Sequence, residues 1–180
     1  RLLCPRPEDR PQNAEEAAEL LGVPWDRAPG SDLLGGALVG RDDALARGRR
    51  AVDATVRGID GPRVVAIRGD DGVGRTRLLE ELKVDAQVQI DALLVQGGRQ
   101  DAIGTLLSLA VGEEIDLTSS AAVVHAVERI AARRDPIALL IDDAHALTRE
   151  GRARLAVLLR TVPRGGKIVV VVASRDAVEG

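Results

Sequence analysis

Gly69-Asp70-Asp71-Gly72-Val73-Gly74-Arg75-Thr76 lies between a short β-branched run, Val64 to Ile67, and a helical pattern that starts near Arg75. The spacing is G-x-x-x-x-G-[K]-T, that of a phosphate-binding loop (P-loop), with arginine in the lysine position. Glycines let such a loop wrap phosphates with its N–H groups turned inward, and the helix N-terminus that follows adds a positive dipole end. Gly69, Gly72, Val73, Gly74, Arg75 and Thr76 are therefore expected to hold phosphates, with the Thr76 hydroxyl on Mg²⁺. The dinucleotide fingerprint is not met, because Gly72-Val73-Gly74-Arg75-Thr76-Arg77 ends in Arg where Gly or Ala is required.

Downstream, strand and helix patterns alternate. Leu93 to Val95 reads as a weak second strand, Ile103 to Val111 as a short helix, and a longer helix follows Ser119 or Ser120, with Val123, Val127, Ile130 and Ala131 on one face. Ile137 to Ile141 is an unbroken apolar run, as expected of a strand covered on both faces. Thr148 caps a helix from about Arg149 to Val162, stopped by Pro163, Gly165 and Gly166, and Ile168 to Ala173 is the last strand. The pattern predicts a parallel α/β sheet with right-handed crossovers.

The apolar run at Ile137 ends in Asp142 and Asp143, followed by Ala144 and His145. Beside a P-loop, a strand-end carboxylate holds the metal's water shell and a second acid orients or deprotonates the attacking water. Asp142 fits the metal role together with Thr76, and Asp143 the catalytic one. Ser174 and Arg175 follow the last strand, where a polar sensor meets the γ-phosphate. His125 reads as a solvated helix residue, and two histidines with the distant Cys4 give no metal-ligand cluster. The pairs Arg49, Arg50 and Arg133, Arg134 read as solvated helix faces.

Upstream, a helix from about Asp42 to Arg57 ends at Gly58 and the Asp60-Gly61-Pro62 turn. Residues 23–37 are rich in Pro, Gly, Asp and Ser and read as a linker, with Trp25 free to pin it to a neighbouring surface. A first helix, Ala14 to Leu21, has Asn13 and Glu16 as a capping box and is closed by Gly22.

Composition bounds these readings. The chain has 180 residues, net charge −3, 45% hydrophobic residues, one Trp and no Phe, Tyr or Met. With a single aromatic residue, the core must rely on broad sheet-and-helix contact among Ala, Val, Leu and Ile, and the composition argues against an aromatic-stacking nucleic-acid module. The arginines are scattered and the balance is acidic, which argues against a direct nucleic-acid partner. No apolar run is long enough for a membrane span and no signal-type segment opens the chain, so a cytoplasmic setting is expected, in keeping with a lone Cys4. A chain that opens at Arg1 and contains no Met reads as a fragment.

With Val39-Gly40-Arg41-Asp42-Asp43-Ala44-Leu45, the P-loop and the Leu139 to His145 run, residues 38–176 resemble the AAA-like signal-transduction ATPases of the STAND class and the related Orc1-like modules. The resemblance implies a P-loop NTPase three-layer parallel sheet, truncated before its last strand and lid, that leaves the outer flank of the P-loop strand exposed. It also implies an ATP- and Mg²⁺-dependent regulatory switch, with Gly40 and Arg41 near the adenine. The other domains of a parent regulator would be its partners, and self-assembly is left open. A DNA-binding module of the Orc1 kind would need a basic winged-helix segment that is not in the sequence.

Residues 1–22 carry a second resemblance. Leu2-Leu3-Cys4-Pro5-Arg6-Pro7-Glu8-Asp9-Arg10-Pro11 and the helix to Gly22 are similar to the end of a bacterial serine/threonine protein kinase domain, in which the arginine matched by Arg10 pairs with a buried glutamate. The expected organisation is a kinase tail over 1–22, a linker over 23–37 and a partial ATPase domain over 38–180. The kinase's catalytic motifs are not in this sequence.

Two departures bear on activity. Arg75 replaces a compact ammonium by a planar fork, which argues for nucleotide binding with slow or no hydrolysis. Asp70 and Asp71 add negative charge beside the phosphates, to be offset by Mg²⁺, Arg68 or Arg75. The alternative expectation is a degenerate, non-hydrolysing P-loop domain serving as a protein-interaction scaffold.

Overall fold

The computed structural model describes residues 40–177. The expected kinase-like tail, first helix and linker lie outside the described residues. The helical pattern after Gly40 forms α1 (Asp42–Val56), followed by β1 (Val64–Arg68), α2 (Arg75–Gln87) and β2 (Asp91–Gln96). Then come α3 (Ala102–Val111), α4 (Ser120–Ala131), β3 (Ile137–Asp142), a 3₁₀ turn at Ala144–Ala146, α5 (Arg149–Thr161) and β4 (Ile168–Ser174). Among the described residues, no helix is long and apolar enough to cross a membrane.

All strand pairs are parallel, in the order β1-β4-β3-β2. The continuous apolar runs lie in the middle: every residue of β3 and β4 is buried, whereas β1 alternates between exposed and half-buried positions. One face of the sheet carries Val65, Ile67, Val169, Val171, Leu140 and Ala92, packed with Leu45, Val52, Leu78, Leu79 and Leu82 of α1 and α2. On the other, Leu139, Ile141, Val170 and Val172 pack with Ile103, Leu107, Val127, Ile130, Leu155 and Leu158 of α3, α4 and α5. Broad contact on two faces thus replaces aromatic bulk, each fully buried Leu, Ile or Val contributing roughly 1.5–3 kcal/mol.

β1 is the end strand of the described sheet. By register Val64 pairs with Val170 and Ala66 with Val172, so Val64, Ala66 and Arg68 point to the α5 side of the sheet, and all three are exposed there.

Two elements are longer than their sequence patterns suggest. The pattern for α2 fades after Leu82, yet the helix runs another turn because Leu82 and Ala86, four apart, both face the core. The β2 ladder takes in Asp91 and Gln96, opposite Ile137 and Asp142, because pairing with β3 outweighs their weak strand preference.

Caps fix the helix starts. Ser119 and Thr148 accept hydrogen bonds from the N–H groups of Ala122 and Gly151. Asp101 does the same for Gly104 from a left-handed backbone and forms an ion pair with Arg154, tying the start of α3 to α5.

Two arginines, one buried and one half-buried, staple elements together. Arg63, 4% exposed, donates to the carbonyls of Ile59, Ala54, Gly61 and Gly166, joining the end of α1 to the turn before β4. Arg133 departs from the expected solvated face: it donates to the Ala110 carbonyl and pairs with Asp91 at the start of β2. Arg49, by contrast, pairs on the surface with Asp85 of α2.

Candidate phosphate-binding site

The C-terminal ends of β1, β3 and β4 bring most of the expected residues together. Gly69 follows β1, Asp142 ends β3, Ser174 ends β4, and Ser174 pairs in register with Arg68. Ligands of open α/β sheets bind at this end of the strands.

The loop itself needs glycine. Gly72 and Gly74 have φ of +79° and +88°, and open space lies where a Cβ would project. Gly74 delivers the chain into α2, whose first turn leaves N–H groups without a carbonyl partner in the helix. Thr76 is exposed in that turn. Val73 is exposed too, and its carbonyl accepts from Arg41 Nη2 at 2.8 Å, so the residue pair before α1 reaches the loop through Arg41. Gly40, with φ +71°, makes the turn into α1.

Arg75 is the pivot of the site. Its guanidinium is 8% exposed and donates to the Gly69 carbonyl, to Asp71 Oδ1 at 3.1 Å and to Asp143 Oδ1 at 3.3 Å. Burial is the largest single influence and opposes the charge, but the bonds from Asp71 and Asp143 together outweigh it and keep the pKa raised. Its Nε is buried without a partner, an unmet donor beside the loop. Arg175, after β4, lies 3.7 Å from Asp71 Oδ2. The hydrogen bond from Arg75, with the charge of Arg175 behind it, holds the Asp71 carboxyl below the usual range. The cations that offset Asp71 are therefore Arg75 and Arg175.

The acidic pair is divided by its backbone. Asp142 is 1% exposed and its Oδ1 accepts from the Asp143 N–H at 2.9 Å. Asp143 adopts a left-handed conformation, φ +46°, which turns its side chain toward Arg75. Strain of this kind in a non-glycine residue persists where surrounding structure enforces it. That structure includes the 3₁₀ turn, whose Ala146 N–H bonds to the Asp143 carbonyl, and His145, whose Nδ1 accepts from the Arg175 N–H at 3.5 Å. His125 lies elsewhere, paired with Glu128 on an exposed face of α4.

Gly97 belongs to no motif in the sequence. Its N–H bonds to the Asp142 carbonyl at 2.8 Å, and a Cβ here would sit 2.3 Å from the Asp143 carbonyl oxygen. Only glycine lets β2 pass this close, and the Gly97-Gly98 pair directly after a strand pattern is the available signal.

Phosphate fits these residues: the loop is open, N–H groups and the buried Arg75 guanidinium converge on it, and an Arg75 donor lacks a partner. Mg²⁺ is a hard cation that takes oxygen ligands, and the strand-end carboxylate of Asp142 and the exposed hydroxyl of Thr76 are donors of that kind.

No protein-family model and no curated protein matches the sequence. Solved structures do match in fold. Cdc6p from Pyrobaculum aerophilum is similar with 16% identity and a TM-score of 0.61, over 81% of this chain and 43% of that one. The Drosophila ORC bound to AT-rich DNA and Cdc6 is similar with 14% identity and a TM-score of 0.50, over 82% of this chain and 53% of that one. The chain thus spans about half the length of these structures or less. With its parallel four-stranded sheet and helices on both faces, the described part of the chain has an α/β fold similar to that of these two structures.

Proposed function

We propose that this chain is a nucleotide-binding regulatory module that takes MgATP at the Gly69–Thr76 loop and hydrolyses it slowly or not at all. One observation carries most of the weight: a buried arginine at the lysine position converges with an open, glycine-dependent loop and a helix N-terminus at the C-terminal end of a parallel sheet.

The N–H groups of residues 72–76 would hold the phosphates and Arg75 their distal end. Gly40 and Arg41 would border the adenine, and Ser174 and Arg175 would face the terminal phosphate. Thr76 and Asp142 would hold Mg²⁺, which when bound neutralises phosphate charge. Asp143 would orient water. Its engagement with Arg75 at 3.3 Å supports slow turnover, because a carboxylate oxygen already held by a guanidinium is not free to orient water. The setting in a kinase-linked bacterial signalling protein is supported by segment order, kinase-like tail, linker and then ATPase module; other domains of that protein are the expected partners.

The metal assignment has its own test. In titrations with a fluorescent ATP analogue, chelating Mg²⁺ is expected to weaken binding to the unmodified chain by about tenfold or more. Thr76→Ala and Asp142→Asn are expected to bind in the presence of Mg²⁺ no better than the unmodified chain does without it. Binding that is indifferent to chelation and to both substitutions overturns the assignment.

A further inference from the structure

Asp71 departs from a phosphate-binding design, since it places a carboxylate where anions are to be received. Its two oxygens face two cations from different elements: Oδ1 lies 3.1 Å from Arg75 Nη2 at the start of α2, and Oδ2 lies 3.7 Å from Arg175 Nη1 after β4. The group at the Arg75 position of a P-loop reaches the β- and γ-phosphates, whereas the inner phosphates are held by backbone N–H groups. A carboxylate on Arg75 therefore competes with the distal phosphate and leaves the backbone cradle free.

We propose that Asp71 is a specificity residue that stands in for a terminal phosphate between Arg75 and Arg175 and so biases the site toward the nucleoside diphosphate. The inference rests on the nucleotide reading above and adds to it a preference between two ligands of one class. A diphosphate binds in the cradle with the Asp71–Arg75–Arg175 bridge intact. A triphosphate must break that bridge, displace Asp71 toward solvent and then bear the repulsion of a free carboxylate nearby. Displacement is feasible, because the Asp71 side chain is 70% exposed and Arg175 is half exposed. Exposed ion pairs are individually weak, so the bridge biases the site and does not close it. Asp143 accepts from the same Arg75 Nη2 out of a left-handed backbone, and Nη1 donates to the Gly69 carbonyl, so Arg75 stays in place when Asp71 leaves.

The test is calorimetric titration of the full 180-residue chain and its Asp71→Asn variant with MgADP and with MgATP. Asp71→Asn changes an exposed loop side chain, and matched thermal melts in the absence of nucleotide check that the fold is kept. Removing one exposed like charge near the terminal phosphate is expected to raise MgATP affinity on the order of tenfold, with MgADP changed less than about threefold. The ratio of the two affinities thus moves toward ATP, and the ADP bias of the unmodified chain shrinks as salt is raised. A ratio unchanged by the substitution overturns the role of Asp71 while leaving nucleotide binding intact. No binding of either nucleotide to either folded chain overturns the nucleotide reading and this inference with it.

Discussion

Gly97→Ala is expected to lower the stability of the domain by about 3 kcal/mol, read as a shift of the urea unfolding midpoint. The added Cβ would lie 2.3 Å from the Asp143 carbonyl oxygen and 3.2 Å from that of Asp142, so it meets backbone and not a side chain that could swing aside. Relief requires β2 to part from β3, breaking the bond from the Gly97 N–H to Asp142, or the Asp142-Asp143 turn to shift. Either movement also disturbs Asp143 against Arg75, so nucleotide affinity is expected to fall along with stability. A variant within about 0.5 kcal/mol of the unmodified chain contradicts the close approach described here.

Arg75→Ala is expected to weaken MgATP binding by roughly 100-fold or more, measured by calorimetry. The substitution removes the buried cation proposed to meet the distal phosphate and frees the carboxylates of Asp71 and Asp143 that it pairs with, which would then repel an anionic ligand. Arg75→Lys separates two parts of that effect. A lysine supplies the charge but not the fork that joins the Gly69 carbonyl, Asp71 and Asp143 at once. Binding is therefore expected to survive in Arg75→Lys, and phosphate release to rise as Asp143 is freed to orient water. Equal affinity in Arg75→Ala and the unmodified chain contradicts the assignment of Arg75.

How much of this was legible in the sequence depended on how local each cause was. The loop spacing, the apolar runs of β3 and β4 and the Ser119 and Thr148 caps act within a few residues, and each is where the pattern puts it. Long-range partners left weaker traces. Asp71 was visible as an unfavourable charge, but Arg175, 104 positions along the chain, becomes its neighbour only when β4 lies beside β1. Gly97 answers to a carbonyl on another strand, and Arg63 to carbonyls at the end of α1 and before β4. Arg133 looked solvated because its partners, Asp91 and Ala110, belong to other elements. The ends of α2 and β2 likewise followed their tertiary contacts beyond the local pattern.

Thermal melting in the presence of MgATP is the most direct test of the central claim, that this loop binds nucleotide. A ligand that binds only the folded state stabilises it by about 2.7 kcal/mol at roughly 100-fold excess over its dissociation constant. For a domain of this size that predicts a rise in Tm of roughly 5–10 °C. The rise should grow with MgATP concentration and largely vanish when Mg²⁺ is chelated. A melting curve that stays in place up to millimolar MgATP would contradict the account.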